Sequence, residues 1–411
     1  MKNFWVCALI LLLPTTGIYA QFTGCPDPHA INYEPFATQN DGSCIYPQTT
    51  VSPFESFPLD GVLDETSGLI YWEDQLWSHV DHTDVNIYAL DTTDGSLLTA
   101  VELPGVTNVD WEEISQDTDH VYIGDFGNNA NGNRQDLRIY KIAKASILAN
   151  APSVEVIEFS YADQTDFSGS GPNNTDFDCE AFVVAGDSIC LFMKEWVGLQ
   201  TRIYALPKAA GIHTASLRGG HDVEGLITGS VYLEAENIAV LSGYTNLLQP
   251  FLYLLYDFPG TDFFGGNKRK IALSLPFHQV EAVTSTTGLM YYITNEFFSQ
   301  PPFVIVPQQL HRINLSAYLA DHLLTLTTMD ANRVNSRLHV YPNPADTEIT
   351  VVVHNNLIGA IYGLYDMNGR RVREGVFESD TAVISVGQLP GGTYFLTPGM
   401  SLGEIVKVVV R

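Results

Sequence analysis

A five-residue pattern built around acidic side chains recurs through the middle of the chain. It reads Asp110-Trp111-Glu112-Glu113-Ile114, Asp178-Cys179-Glu180-Ala181-Phe182, Asp222-Val223-Glu224-Gly225-Leu226 and Gln279-Val280-Glu281-Ala282-Val283, with a degenerate first copy at Glu65-Thr66-Ser67-Gly68-Leu69. A second polar point follows at the end of the next apolar stretch: Asp81, Asp125, Lys194-Glu195 and Asn295-Glu296, delayed to Ser242-Gly243-Tyr244 in the fourth copy. Carboxylates gathered in this way are hard oxygen ligands, suited to calcium or another divalent cation. The candidate ligands are Glu112, Glu180, Glu224, Glu281, Asp81 and Asp125. At ~5 Å and an effective dielectric of about 20, each like-charged pair costs roughly 3 kcal/mol, so a metal ion, Lys194 or raised pKa values must relieve them. Two plainer readings stay open, in which the carboxylates bond backbone amides where strands begin or merely rim a wet channel. His79, His82, His221 and His278 stand beside the acidic points and have the side chain for general-base work, although histidines scattered in turns are commonly structural. No catalytic residue is assigned. No phosphate-binding loop, Gly-x-Ser-x-Gly elbow or His-Glu-x-x-His zinc motif is present.

The spacing says which elements must position these groups. The third positions of the five copies, 67, 112, 180, 224 and 281, lie 45, 68, 44 and 57 residues apart, close to the ~40–50 residues of a four-stranded propeller blade. The loop around Ser168-Gly169-Ser170-Gly171 accounts for the longest interval. Each copy closes on an apolar strand, such as Ile139-Tyr140-Lys141-Ile142 or Ile203-Tyr204-Ala205-Leu206. The segment 59–330 carries no long 3.6-residue apolar period and is broken by Gly, Asn and Asp, which predicts an all-β, five- or six-bladed β-propeller. If the pattern opens the innermost strand of every blade, period-two alternation brings Glu112, Glu180, Glu224 and Glu281 together at one mouth of the central channel.

Charge narrows the partners. Lys and Arg number 20 against 47 Asp and Glu, a formal net charge of -27. That balance opposes any surface built to neutralise nucleic-acid phosphates. After Lys2 no Lys or Arg occurs before Arg134, while twenty acids run from Asp27 to Asp125. With 45% hydrophobic and 16% charged residues the chain is expected to fold into packed domains.

The ends carry sorting signals. Residues 1–20 have the form of a secretory signal, with Lys2, an apolar run from Phe4 to Leu13 and a small residue, Ala20, before Gln21. That run is shorter than the ~20 residues that span a bilayer, and no later stretch reaches that length, so no transmembrane segment is expected in the mature chain. Removal of Cys7 leaves four cysteines in an oxidising compartment. Cys25 and Cys44 bound segment 21–46, where a bridge closing a loop of ~20 residues is worth ~3 kcal/mol. Asp27, Asn32 and Asp41 within it read as turn formers or as calcium ligands. Residues 47–58 read as a linker. Cys179 and Cys190 fall out of register across a hairpin turning at Gly186-Asp187 and are predicted to be free, buried thiols.

From about 337 the chain reads as a small C-terminal β-sandwich, with strands at 348–353, 360–366, 382–386, 393–396 and 405–410. Four ordered blocks mark it: Tyr341-Pro342-Asn343-Pro344, then Tyr365-Asp366-Met367-Asn368-Gly369-Arg370, then Leu389-Pro390-Gly391-Gly392-Thr393-Tyr394-Phe395, and a basic end at Lys407 and Arg411. Segment 337–411 resembles the C-terminal sorting domain of type IX secretion system cargo. That resemblance implies the type IX secretion machinery as a partner, passage through the outer membrane, and a protein that is secreted or held on the outer cell surface, there attached to lipopolysaccharide. The cysteine-bounded segment is similar to a short repeat of surface proteins exported by the same route. The repeat rhythm and the Asp-x-Glu-Gly wording resemble calcium-dependent lactonase and phytase-like esterase propellers, in which an acidic channel floor holds metal.

Three functions remain open: a surface or extracellular propeller binding a divalent cation and a ligand at the channel mouth; a metal-dependent ester, lactone or phosphoester hydrolase using the same carboxylates; or a structural adhesion platform.

Overall fold

A computed structural model describes residues 22–330, 338–353, 361–367, 370–379, 381–398 and 406–411. The signal sequence expected at 1–20 and the turn at Asn368-Gly369 lie outside the described residues. The chain divides into two compact units, the second beginning at Leu315.

The first unit is made of five consecutive four-stranded antiparallel meanders. Sheet 1 comprises Thr66–Trp72, Gln75–Val80, Asn86–Leu90 and Leu97–Glu102. Sheet 2 comprises Trp111–Gln116, His120–Asp125, Arg138–Ala143 and Val154–Tyr161, and sheet 3 comprises Cys179–Ala185, Ser188–Met193, Thr201–Pro207 and Gly211–His221. The outermost strands of sheets 2 and 3 pair in parallel, Ile157 opposite Gly211, and fuse the two into one eight-stranded sheet. Sheet 4 comprises Leu226–Leu233, Ile238–Tyr244, Pro250–Tyr256 and Asn267–Leu273. Sheet 5 takes Val280–Ser285, Met290–Asn295 and Gln309–Asn314 from the end of the unit and its fourth strand, Glu55–Pro58, from the beginning. The segment expected as a linker, 47–58, thus supplies that strand and also Thr50–Val51, which pairs with sheet 4. Joining strands from the beginning and the end of the unit in one sheet closes the ring.

The first strands of the five sheets pack against one another in cyclic order, the fifth returning to the first. This is a β-propeller-like arrangement. Neighbouring sheets meet face to face through apolar layers. Tyr122, Ile139 and Ile157 of sheet 2 meet Phe182, Leu191 and Tyr204 of sheet 3, while Val183, Phe192 and Ile203 on the other face of sheet 3 meet Ile227, Leu241 and Phe251 of sheet 4. Successive side chains point to opposite faces. Because both faces are covered, Cys179–Ala185 is buried along its whole length and shows no polar alternation.

Each innermost strand carries a β-bulge, with the extra residue at Gly68, Glu112, Glu180, Thr228 and Glu281 in turn. A bulge interrupts alternation, so adjacent side chains can both face the axis. In sheet 2 this is Glu112 and Glu113. Glu113 reaches across the channel: its Oε2 accepts from the Ser230 N–H at 2.6 Å, and its Oε1 accepts from the Ile114 N–H at 3.0 Å. The φ of Gly68 is 66°, and a Cβ there would come within 2.7 Å of Glu113 Oε1 and 2.5 Å of the Ile114 nitrogen, so only glycine fits.

The Cys25–Cys44 disulfide is formed, with Cα atoms 4.9 Å apart. Its segment is tied to sheet 4, where Asp27 Oδ2 accepts from the hydroxyls of Tyr46 and Tyr256, each at 2.7 Å, and Lys268 Nζ donates to the Gly42 carbonyl at 2.8 Å. Asp27 and Asp41 each accept the backbone N–H two residues on, from His29 and Ser43, which is turn chemistry, while Asn32 accepts from the Ile45 N–H across the disulfide-bound segment. Cys179 and Cys190 are free and buried, Cys190 lying opposite Val183 rather than Cys179.

The second unit holds the helix Ser316–Asp330, which falls outside the propeller-like unit although its residues were expected within it. Two antiparallel sheets follow. One contains Leu338–Tyr341, Glu348–Val353 and Thr381–Ser385, and the other Arg371–Val376, Ile361–Asp366, Gly392–Pro398 and Val406–Val410. Ile349, Val351 and Ile384 of the first share an apolar core with Leu364, Leu396 and Val408 of the second.

Two stability predictions follow from this architecture. His311 in sheet 5 is buried, with Nδ1 2.7 Å from Ser56 Oγ and Nε2 2.8 Å from Asn295 Oδ1. The neutral ring satisfies both partners, and burial, with His278 nearby, lowers its pKa from 6.5 to about 3. Below pH 6.5 the unfolded chain takes a proton that the folded chain refuses, so this stabilisation is present above 6.5 and is lost as pH falls toward 3. The expected loss is roughly 2–3 kcal/mol by pH 4.5. Urea melts of wild type and His311→Gln should therefore converge as pH is lowered from 7 to 4.5; a constant gap would refute this. Glu113→Gln should cost about 1–3 kcal/mol in the same assay, because an amide NH2 would face backbone donors.

Candidate functional site

The bulges turn Glu112, Glu180 and Glu281 inward at the end of the channel where the inner strands begin. All three are buried, at 5%, 2% and 6% exposure. Asp178, the first residue of the third pattern, joins them, and one carboxylate oxygen each from Glu112, Asp178 and Glu180 lie within 4.8 Å of one another. Asp178 is anchored by the Asn128 N–H on Oδ1 at 2.6 Å and by Trp196 Nε1–H on Oδ2 at 2.8 Å. The backbone of Gly127 presses against the group: a Cβ there would lie 2.0 Å from Glu112 Oε1 and 2.5 Å from Asp110 Oδ2. Glu112 accepts no side-chain hydrogen bond among the described residues, although it is 95% buried.

One ammonium enters this group. Lys194 Nζ donates to Glu180 Oε2 at 2.7 Å, lies 4.8 Å from the centre of the Trp196 ring and 5.3 Å from that of Tyr244, and is itself buried. Tyr244 lies beside Glu281 and favours its ionised form. Around them stand Glu296, Asp81, Asp110 and Glu65, each close enough to act electrostatically on the group or on one another. Burial is the first cause that raises the carboxyls, and mutual repulsion adds to it. Glu112 and Glu296 are pushed well above the usual range, Asp81 to about 8 and Asp110 to about 6. In Glu180, Lys194 opposes the rise. Burial alone would lower the Lys194 pKa, yet the surrounding carboxylates, Glu180 foremost, hold it well above 10.5. One ammonium shared among so many acids leaves an excess that protons, or another cation, must meet.

The sequence-derived candidates divide accordingly. Glu112, Glu180, Glu281 and, at the rim, Asp81 come together. Glu224 does not: its side chain is 80% exposed, 3.9 Å from Lys270, on a backbone with φ 51°. Its sheet starts only at Leu226 and its bulge falls at Thr228, so Asp222–Gly225 lie before the strand and Thr228 takes the inward place. Asp125 is buried but already neutralised, by Arg134 at 2.9 Å and by the Asp110 N–H at 3.2 Å. Four residues of the group were not among the candidates. Asp178 and Asp110 are first-position acids whose side chains follow the third-position ones inward, and Glu296 and Tyr244 belong to the second polar points.

The histidines are held elsewhere. His79 is buried edge-on to Trp111, its pKa lowered to about 4 by burial. His221 Nε2 lies 2.8 Å from the Tyr253 hydroxyl, His278 Nδ1 3.0 Å from the Pro276 carbonyl, and His82 3.9 Å from Asp64. None is hydrogen-bonded to the Glu112 group among the described residues.

Comparison with known proteins bears mainly on the second unit. Residues 339–411 match the secretion system C-terminal sorting domain. No curated protein matches the chain. Among solved structures, the chain is similar to PorZ, described as an essential bacterial surface component of the type-IX secretion system of Porphyromonas gingivalis. The identity is 11%, over 84% of this chain and 45% of that one, with a TM-score of 0.30. It is also similar to the RRP9 WD40 repeats, at 9% identity over 61% of this chain and 67% of that one, with a TM-score of 0.30. The chain thus spans under half the length of PorZ. No helix among the described residues is long and apolar enough to cross a membrane. The sorting domain implies export by the type IX secretion machinery, to the cell surface or beyond it.

Proposed function

We propose that this is an exported five-bladed β-propeller with a C-terminal sorting sandwich, carrying a divalent cation, calcium by preference, at the acidic mouth of its channel and binding a ligand there. The observation that carries the reading is the buried Glu112 side chain, whose carboxyl accepts no hydrogen bond among the described residues while facing two further carboxylates, Asp178 and Glu180. A carboxylate in that position costs several kcal/mol unless it is protonated or meets a cation. The donor set is entirely oxygen, which suits calcium or magnesium rather than zinc or copper. Glu112, Asp178 and Glu180 would hold the ion, which would supply a fixed positive centre at the mouth. Lys194 stays on Glu180 and positions it.

Metal analysis of the purified protein should return about one calcium per chain. At a calcium concentration about a hundred times Kd the folded state gains ~2.7 kcal/mol, a rise of roughly 5 °C in Tm for a unit of this size. Chelator should abolish the rise. Glu112→Gln and Asp178→Asn should lose it, while Glu224→Gln keeps it. Absence of both metal and chelator effect would overturn the reading. For export, removal of residues 339–411 should leave the protein inside the cell, as judged by fractionation; continued appearance outside would contradict the assignment.

A further inference from the structure

Large apolar side chains stand in water around the acidic mouth. Val109 precedes the inner strand of sheet 2, and Phe277 that of sheet 5. Val197 and Leu247 lie between the second and third strands of sheets 3 and 4. Phe303 and Ile305 sit on or beside the hairpin Phe298–Gln300/Val304–Val306, inserted at the same place in sheet 5. All these connections leave the sheets at the end where Glu112, Glu180 and Glu281 sit, because each inner strand begins where its antiparallel neighbour ends. Phe303 is 90% exposed and Leu247 84%. At the other end of the channel, the turns Glu73-Asp74, Asp117-Thr118-Asp119, Gly186-Asp187 and Glu234-Ala235-Glu236-Asn237 expose no large apolar side chain. Leu98, Leu148 and Ile212 are exposed toward the other end, so what sets the mouth apart is that its exposed apolar groups stand beside a concentration of acids.

Charge says what covers it. Glu65, Asp81, Asp110 and Glu296 surround the opening, with Asp64, Asp222 and Glu224 farther out. The basic groups of this face are already engaged: Arg134 with Asp125, Arg202 with Glu195, Lys194 with Glu180, and Lys270 with the carbonyls of Val223 and Glu224. An anionic membrane or nucleic acid would be repelled by such a face and by the net charge of -27.

We infer that the mouth face docks an extended peptide segment of a partner protein in which Lys or Arg is set between large apolar side chains. The base enters toward Asp81, Asp110 and Glu296, and the apolar groups rest on Leu247, Phe303 and their neighbours. This goes beyond the cation reading but shares its acidic cluster, since Asp110 and Glu296 act on Glu112 and Glu281; the apolar rim is what the two do not share.

The test uses the full chain and a fluorescein-labelled peptide alternating Lys with Leu and Phe, read by fluorescence anisotropy. Wild type should bind it, with affinity falling as salt rises. A peptide with Glu in place of Lys should not bind. The Leu247→Ser/Phe303→Ser variant should bind at least tenfold more weakly while its melting response to chelator stays as in wild type, which separates this proposal from the cation reading. Unchanged affinity in that variant would overturn the proposal. So would equal binding of a peptide with Ser in place of Leu and Phe, or no binding up to millimolar peptide.

Discussion

The structure of the first unit depends on a bulge repeated at the start of every inner strand. An extra residue at Gly68, Glu112, Glu180, Thr228 and Glu281 turns one more side chain toward the axis than an even strand would allow. In three of the five strands that residue is glutamate. Charges distant in sequence are thereby forced together in a setting where burial already penalises their ionised forms. The Lys194–Glu180 contact is the internal answer, and the Trp196 and Tyr244 rings beside it favour the ammonium further. It leaves Glu112, Asp178, Glu281 and Glu296 still to be compensated. The neighbouring Glu113 shows a different solution, a buried carboxyl met by the Ser230 N–H across the channel and by the adjacent Ile114 N–H.

The cost of this gathering is carried by packing elsewhere. Neighbouring sheets bury both faces of one another, and the ring is locked by the strand Glu55–Pro58 pairing with Gln309–Asn314. The disulfide-bound segment then holds the adjoining chain on sheet 4 through Asp27, Tyr46 and Tyr256. The second unit has its own apolar core, and the sorting role assigned to residues 339–411 is separate from the chemistry of the mouth.

Much of this was legible in the residues. The repeated acidic wording located Glu112, Glu180 and Glu281, and hairpin register kept Cys179 and Cys190 apart. Sorting blocks such as Tyr341-Pro342-Asn343-Pro344 marked the C-terminal unit. What escaped detection depends on geometry that period-two reasoning lacks. Glu224 shares the wording but precedes its strand, and Thr228, which has no acidic signature, occupies the equivalent place. Asp125 looked like a free ligand because its partner Arg134 lies in the following loop. Residues 55–58 read as linker because a strand that closes a ring pairs with residues some 250 positions away, as Arg312 with Glu55, and leaves little local trace. Asp178 and Glu296 were visible as acids, but only the bulged backbone brings them to Glu112.

The most direct measurement is a crystal structure of the protein grown with calcium and examined by anomalous scattering. The expected result is a single peak among Glu112, Asp178 and Glu180 with oxygen distances of about 2.3–2.6 Å, and Lys194 still bonded to Glu180. A mouth containing only water, with those carboxylates paired to one another through protons, would contradict the claim that a cation completes the site.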